Sequence, residues 1–227
     1  VMSTIVAAEM VKVFAGCYRD VNIALANELS YVCEKYNVDS KEIFKAANSQ
    51  PYCHIHNPGY VGGHCIPYYP WFVIDENTEL MQTARKINEN VIDRLVMKVV
   101  EGLNEINKSI KNSNILILGL TFRGNVYELA HTPAKPFIEK LKKFNPKIYA
   151  FDPLCNDKDY EKFGVEFKDI DDIDNYKDID CVVILADHKD FYKIEWNKAG
   201  REMRNKVIVD IRGVVDESKA KLRILKL

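Results

Sequence analysis

One cysteine, Cys65, stands in a sequence context suited to nucleophilic chemistry. It lies in the segment Gly62-Gly63-His64-Cys65-Ile66-Pro67. Glycine lets a backbone approach a ligand closely, and proline stiffens the exit from a turn. A thiol held there could attack a carbonyl carbon if a nearby cation favoured the thiolate. The alternative is a buried structural cysteine in a tight turn, since free cysteine is among the most buried residue types.

The loop around this cysteine also holds three of the five histidines, so a metal site has to be considered. Cys53-His54-Ile55-His56 precedes His64 and Cys65. This spacing matches no regular zinc pattern, and the six cysteines form no Cys-x-x-Cys pair. We therefore expect no metal site, and reduced thiols rather than a disulfide framework.

The charge balance restricts the ligands that the chain can hold. Its 32 basic and 33 acidic residues nearly cancel, so no basic field is available for a nucleic acid backbone. Any anionic ligand must be bound by a few local residues. No apolar run is long enough to cross a membrane, and no signal peptide opens the chain. These observations predict a cytoplasmic protein without nucleic acid or membrane partners.

The first half of the chain has the spacing of long helices around one loop. Apolar residues recur at helical intervals over 2–37 and 78–110, and a shorter helix is predicted at 40–47 with Ser40 as its N-cap. Residues 50–70 form an irregular loop of the length that usually carries function. The apolar stripe of the first helix exceeds what one small domain can cover, which predicts a homodimer through residues 2–37. Because the chain begins inside this pattern, we expect a further N-terminal part.

After Asn112 the pattern changes to short β-rich runs that alternate with helices. Runs at 115–119, 147–150, 181–185 and 207–210, with a helix at 133–144, predict a small doubly wound sheet whose ligands lie at the strands' C-terminal ends. The predicted fold class is α/β. An all-helical central dimerisation domain at 1–110 precedes a small Rossmann-like, doubly wound parallel-sheet domain at 111–227.

Several motifs in this chain resemble the UDP-glucose/GDP-mannose dehydrogenase family. They cover almost the whole chain and occur in the family's order. The motifs are Ala8-Glu9-Met10-Val11-Lys12, the run Arg19-Asp20-Val21-Asn22 and its continuation to Leu29, Gly62 to Pro67 with Pro70-Trp71-Phe72, residues 119–126 and Ala186-Asp187-His188-Lys189-Asp190-Phe191.

The resemblance implies a two-step oxidation of a nucleotide sugar's C6 alcohol to a carboxylate with two NAD. A cysteine thiolate captures the intermediate aldehyde as a thiohemiacetal, a second hydride leaves to give a thioester, and water releases the acid. Covalent capture keeps the reactive aldehyde from escaping. The family's NAD domain carries Gly-x-Gly-x-x-Gly, which this chain lacks and which the lone Gly119 cannot replace. We therefore expect that this chain alone does not turn over.

The resemblance also assigns roles to individual residues. Cys65 falls on the nucleophile, and Lys12 on a lysine that shuttles protons or steadies the oxyanion. The apolar neighbours of Lys12 favour a desolvated amine. The remaining assignments concern binding of the UDP-sugar, for which Arg suits pyrophosphate geometry, although a surface charge is the alternative for each Arg. They are Arg19 and Gly62 in the first half, and Phe122, Arg123 and Arg212 at strand ends in the second.

Four departures from the family pattern favour a second hypothesis, a non-catalytic relative that keeps the dimer helix and a nucleotide pocket. Gly16 and Tyr69 stand where the family has Asn and Asp, Gln50-Pro51-Tyr52 replaces His-Pro-Arg, and Ala130 stands where an Arg meets NAD. Losing an oxyanion donor typically costs about 10²–10³ in rate.

One further position bears on which sugar the family member would oxidise. Tyr68 stands where UDP-glucose enzymes carry Lys. It points to the N-acetylhexosamine branch, with UDP-N-acetylmannosamine preferred over UDP-N-acetylglucosamine.

Overall fold

The computed structural model describes residues 1–216 and 222–226 of the chain. Packing divides it into two compact units, residues 1–91 and 92–226, each considered by itself below. The division lies inside a long helix, which gives its first half to one unit and its second half to the other. A division by element type, as predicted from the sequence, assigns the whole helix to residues 1–110 instead. Residues 217–221 and 227 of the predicted sheet domain lie outside the described residues.

The first helix, α1, runs from Ile5 to Lys35 and confirms the predicted helix over 2–37. Thr4 caps its N-terminus, because its hydroxyl accepts a hydrogen bond of 3.0 Å from the amide of Ala7. The chain leaves the helix through Asn37, whose φ of 55° is left-handed. The helix packs on the unit with a face of small and polar residues: Gly16, Cys17, Asp20, Ala24, Ala26, Asn27, Ser30 and Cys33.

Helix α2 spans Ser40–Ala47, as predicted, but its N-cap is Asp39 rather than Ser40. The carboxylate of Asp39 accepts a hydrogen bond of 2.7 Å from the amide of Lys41, whereas Ser40 is already the first helical residue. Phe44 of α2 is buried against Ala26 of α1. The irregular loop follows, interrupted by a 3₁₀ turn at Tyr69–Phe72. Helix α3, Glu79–Glu105, is shorter at its C-terminal end than the predicted 78–110.

A buried polar network fixes the loop to both long helices within residues 1–91. Arg85 of α3 donates to Asp20 of α1 at 2.5 Å. Asn88 donates to the same carboxylate at 2.9 Å and accepts from Asn27 at 3.0 Å. Asn27 in turn accepts from the amide of Gly59 at 2.6 Å and donates to its carbonyl at 3.1 Å. The loop backbone at Gly59 is therefore held by Asn27, which is part of this network. Buried polar side chains require hydrogen-bond partners, and here they supply them to one another.

The second unit contains a six-stranded parallel sheet in the order β3-β2-β1-β4-β5-β6, the doubly wound arrangement that the sequence predicts. The four predicted strands are confirmed. The two edge strands, β3 and β6, were missed because two and three residues are too few to show a strand pattern. The strands are β1 Asn114–Leu118, β2 Lys147–Phe151, β3 Glu166–Phe167, β4 Cys181–Ile184, β5 Val207–Asp210 and β6 Arg223–Leu225.

Among the described residues after β1, the α-helices are α4 (Ala134–Lys142), α5 (Asp157–Phe163) and α6 (Trp196–Glu202). The central strands β1, β4 and β5 are buried almost throughout. This explains why they read as continuous apolar runs rather than as alternating patterns. None of the helices among residues 1–216 and 222–226 combines the length and apolarity needed to cross a bilayer.

Candidate functional site

The cysteine loop presents Cys65 at the surface of the first unit. Its side chain is exposed, unlike those of Cys17, Cys33 and Cys181, which are buried. Gly63 has a φ of 84°, a conformation that suits glycine and turns the chain just before the thiol. After it, the amides of Tyr68 and Tyr69 both donate to the carbonyl of Cys65, at 3.1 and 3.0 Å. The alternative of a buried structural cysteine is therefore wrong, because this turn directs the thiol outward.

Tyr69 lies between the two residues predicted to act in catalysis. The Nζ of Lys12 stands 5.8 Å from the centroid of the Tyr69 ring. A hydrogen bond between the Tyr69 hydroxyl and Cys65 raises the pKa of Tyr69. The structure contradicts the expectation that apolar neighbours desolvate Lys12, because Lys12, Met10 and Phe14 are all exposed. The ammonium group of Lys12 is not enclosed by apolar side chains and lies over the face of the Tyr69 ring.

Gly16 and Tyr69, two of the positions that depart from the family pattern, are in direct contact. Gly16 is buried on the face of α1 that packs on the unit. A methyl group at this position would lie 2.9 Å from the Cβ of Tyr69, and closer still to a carbon of its ring. Tyr69 therefore occupies the space that any side chain at position 16 would need. Sequence reasoning treated the two positions separately, because 53 positions of chain part them and no local pattern connects them.

Arg19 lies beside the histidines of the loop. Burial lowers the pKa of His56, and the neighbouring His54 and Arg19 lower it further. Asn22 of α1 anchors this part of the loop, since its side chain donates to the carbonyl of His54 at 2.6 Å and accepts from the amide of His56 at 2.8 Å. Among the described residues, no group of three or more His, Cys, Asp or Glu side chains could hold a metal ion.

In the sheet unit, a buried carboxylate organises the turn after β1. Asp152, which follows β2, accepts hydrogen bonds from the amides of Leu120 and Thr121 at 2.8 and 2.9 Å, and from the Thr121 hydroxyl at 2.8 Å. The Nε2 of His188 lies 3.2 Å from the same oxygen. Burial by itself would raise the pKa of Asp152, but the hydrogen bonds from His188, Thr121 and Leu154 outweigh it and lower the pKa to about 2.

Phe122 and Arg123 follow directly on this anchored turn. Arg123 is exposed, and Phe122 is half-buried. The next residues are tied to the turn after β4, because the amide of Gly124 donates to Asp187 at 3.1 Å and the amide of Asn125 donates to the Nδ1 of His188 at 3.1 Å. Arg123 therefore projects from a segment whose backbone is fixed on both sides.

Arg212 lies after β5, close to the carboxylate of Asp187. Its Nε donates to the carbonyl of Leu185 at 2.8 Å. Burial lowers the pKa of Arg212, while the charges of Asp187 and Asp210 raise it. Asp187 thus stands near Arg212 and also holds the segment that carries Arg123. The ends of β1, β4 and β5 converge here, as the parallel sheet requires.

Sequence reasoning placed Arg123 and Arg212 at strand ends but assigned no role to Asp152, Asp187 or His188. The motif Ala186-Asp187-His188 was a signal that could have found two of them. Phe122, Arg123 and Arg212 belong to the sheet unit, whereas Lys12, Arg19, Gly62 and Cys65 belong to residues 1–91.

A parallel sheet of this order, with cationic side chains at its strand ends, is typical of a nucleotide-binding domain. The helical unit contributes an exposed thiol. The family models agree with both features. The central domain of the UDP-glucose/GDP-mannose dehydrogenase family matches residues 6–91, and the UDP binding domain of the same family matches residues 116–217. The chain belongs to the UDP-glucose/GDP-mannose dehydrogenase family.

Curated relatives cover both units. The UDP-N-acetyl-D-mannosamine dehydrogenase of Methanococcus vannielii is 33% identical over 217 residues, which make up 93% of this chain and 49% of the relative. The enzyme of the same name from Methanocaldococcus jannaschii is 35% identical over 92% of this chain and 48% of its own length. The chain therefore spans about half the length of the curated relatives that it matches.

Solved structures of relatives share the fold. The UDP-D-ManNAc dehydrogenase of Pyrococcus horikoshii superposes with a TM-score of 0.82 at 30% identity, over 96% of this chain and 51% of that one. The UDP-N-acetyl-mannosamine dehydrogenase Cap5O of Staphylococcus aureus gives a TM-score of 0.77 at 32% identity, over 96% of this chain and 50% of that one. The predicted combination of a helical central domain and a Rossmann-like parallel sheet is confirmed.

Proposed function

We propose that this chain is part of an NAD-dependent dehydrogenase that oxidises the C6 alcohol of UDP-N-acetyl-D-mannosamine to a carboxylate. The observation that carries the proposal is the match of both units to relatives of that name, at about one third identity over more than nine tenths of the chain. UDP-N-acetylglucosamine is the alternative sugar nucleotide. A cytoplasmic location, where Cys65 would stay reduced, belongs to the same proposal.

Cys65 serves as the nucleophile in this proposal. Its thiolate adds to the C6 aldehyde, forming a carbon–sulfur bond while the carbonyl oxygen takes up a proton. NAD would supply the oxidant by accepting a hydride from C6. Loss of that hydride together with the hydroxyl proton leaves a thioester on Cys65, and attack by water breaks the carbon–sulfur bond to release the carboxylate and the thiol. The exposed position of the thiol supports this role. Lys12 supplies the proton or steadies the oxyanion from its place beside Tyr69.

The sheet unit binds the UDP moiety. Phe122, Arg123 and Arg212 are the residues that we propose for the base and the pyrophosphate. The position of the two arginines supports this role, because each follows a parallel strand at the edge where nucleotides bind in such sheets. Arg19 and Gly62 are proposed to contact the substrate from the first unit. Arg19 stands beside a histidine pair that Asn22 fixes to α1.

The described residues of the sheet unit do not fit NAD bound in the usual dinucleotide manner. No helix follows β1 directly, since α4 begins only at Ala134, so no helix N-terminus meets a pyrophosphate there. Asp152 stands where a carboxylate would bind the ribose, but it is buried and already accepts bonds from Leu120 and Thr121. We therefore propose that NAD is held outside these residues, as the resemblance expects of a domain N-terminal to this chain, and that the chain alone does not turn over.

A homodimer through α1 completes the proposal, with a second copy of the chain as the partner. The helix buries its small residues within the unit and leaves its large apolar ones on the surface. A hydrophobic face of this length is typical of a subunit interface. Its exposed apolar residues include Ile5, Val6, Met10, Val11, Phe14, Tyr18, Leu25, Tyr31 and Val32.

A second candidate function is a non-catalytic relative that binds a nucleotide. It is favoured by Tyr69, whose ring fills the space beside Gly16 where the family has a polar amide. The loss of an Arg at Ala130 points the same way, as does the replacement of His-Pro-Arg by Gln50-Pro51-Tyr52.

The deciding experiment incubates the full-length gene product with NAD and either UDP-N-acetylmannosamine, UDP-N-acetylglucosamine or UDP-glucose, and follows NADH. We expect two NADH per sugar with UDP-N-acetylmannosamine, and no carboxylate from Cys65→Ala. A preference for UDP-glucose would overturn the choice of sugar. No NADH from any of the three, with UDP binding retained in calorimetry, would establish the non-catalytic alternative instead.

A further inference from the structure

We infer that Tyr69 is a positioning residue of the cysteine site. Its ring packs on Gly16 of α1 and stands beside Lys12, while its backbone amide is bonded to Cys65, and Gly16 makes room for the ring. The geometry of this group lies wholly within residues 1–91. Its part in catalysis rests on the proposed function.

The steric relationship is the first support. Glycine in the middle of a helix is less stable than alanine, so a glycine at position 16 of the 31-residue helix α1 needs a reason. Cβ and Cγ of Tyr69 lie 2.9 and 3.0 Å from the point that a Cβ of residue 16 would occupy. The ring cannot easily withdraw, because the amide of Tyr69 is bonded to the carbonyl of Cys65 and opens the 3₁₀ turn. Any larger residue at position 16 would therefore push the ring out of its place on α1.

The position of Lys12 is the second support. Lys12 and Gly16 are four residues apart in α1, so they lie one above the other on the same face of the helix. The ring that packs on Gly16 consequently stands next to the side chain of Lys12, with Nζ 5.8 Å from its centroid. An exposed lysine is otherwise free to move on a flexible stem. The attraction of an ammonium group to an aromatic face favours the conformations that keep it beside this ring.

The backbone of Tyr69 is the third support. Its amide donates to the carbonyl of Cys65 at 3.0 Å, in the turn that presents the exposed thiol. A displacement of the ring from Gly16 would therefore act on the segment that carries Cys65. Tyr69 thus connects the helix that carries Lys12 to the loop that carries Cys65, at a position where the family has an acid.

The connection to Cys65 can be tested by the rate at which iodoacetamide alkylates Cys65 at neutral pH, measured on the peptide containing residue 65 so that the other cysteines do not interfere. Tyr69→Ala removes the ring that packs on Gly16, whereas Tyr69→Phe keeps it. We expect Tyr69→Ala to change the rate by about threefold or more, because the loop loses a contact that holds it to α1 and opens locally, and Tyr69→Phe to react like the wild type. Tyr36→Ala, which truncates an exposed tyrosine at the end of α1, is the matched control and should also react like the wild type.

The packing can be tested by combining substitutions at positions 16 and 69. Gly16→Ala should lower Tm by roughly 3–8 °C in the presence of Tyr69, as expected for overpacking of a buried contact. In a Tyr69→Ala background the same change should leave Tm unchanged or raise it, because alanine is the better helix former.

Both measurements need neither sugar nor NAD, so their outcome is independent of the proposed dehydrogenase activity. Equal alkylation of the wild type and Tyr69→Ala would overturn the connection to Cys65. An equal cost of Gly16→Ala with and without Tyr69 would overturn the pairing. In the active full-length enzyme, Tyr69→Leu should lower kcat more than it changes KM, and Tyr69→Phe, which keeps the ring, should retain kcat, since the ring positions Lys12 and does not bind UDP.

Discussion

The carboxylate of Asp152 and the imidazole of His188 lie 3.2 Å apart, and both side chains are buried. The Nδ1 of His188 accepts a bond from the amide of Asn125, so the proton of the ring is on Nε2, which faces Asp152. Two turns that follow different strands are therefore joined by one buried pair. Arg123 lies between the residues that this pair holds, so the arrangement of the proposed nucleotide site depends on a contact that itself touches no nucleotide.

Asp152→Asn should destabilise the sheet unit by about 2–4 kcal/mol, because the buried amide nitrogen cannot accept the bonds that the carboxylate oxygen accepts. The pH dependence gives a specific signature. The pKa of Asp152 is lowered in the folded protein to about 2, so its stabilisation is fully present above about pH 4 and is lost as the pH falls towards 2. Urea unfolding at a series of pH values checks both expectations.

The control for this experiment is Glu161→Gln, which removes an exposed carboxylate from α5. It should shift the unfolding curve by less than about 0.5 kcal/mol. If the wild type and Asp152→Asn lost stability in parallel between pH 4 and pH 2, the carboxylate of Asp152 would not be the group whose titration matters.

Arg123→Ala and Arg212→Ala should each weaken the binding of UDP about tenfold, since each removes a charge-assisted contact to phosphate. The two should differ in stability. Arg123 is exposed, so its removal should leave Tm unchanged, whereas Arg212 bonds to the carbonyl of Leu185, so its removal should lower Tm as well. Titration calorimetry with UDP and thermal unfolding measure the two effects.

Lys158→Ala, an exposed lysine in α5, is the matched control for the loss of a positive charge. Unchanged UDP affinity in Arg123→Ala, with no change in its salt dependence, would remove Arg123 from the proposed site.

Leu25→Glu should dissociate the proposed homodimer, because it places a charge in the middle of the exposed apolar face of α1, where Leu25 is 48% exposed. Light scattering at micromolar concentration should show a dimer for the wild type and a monomer for the variant. Ile43→Glu places the same charge at an exposed apolar position of α2, outside the proposed interface, and should leave the dimer intact. A monomeric wild type would contradict the prediction outright.

The sequence by itself determined the long helices, the four central strands and the order of the family motifs. These features depend on local periodicity, since a helix or a buried strand imposes its own spacing on the residues within it. For Cys65 the sequence determined the turn, which Gly63 and Pro67 indicate. It did not determine whether that turn faces solvent, so the exposure of the thiol came from the structure. The burial of Lys12 was predicted wrongly, since apolar neighbours along a helix do not show which of its faces is covered.

Tertiary structure alone decided the contacts between residues distant in the chain. The packing of Tyr69 on Gly16, the bonds of Asp152 to the turn after β1 and the short edge strands all arise from neighbours that no local pattern specifies. Their energies come from burial and from hydrogen bonds between separate elements, which exist only once the chain has folded. In the sequence, Gly16 and Tyr69 are two separate departures from the family pattern. In the folded protein they form one contact.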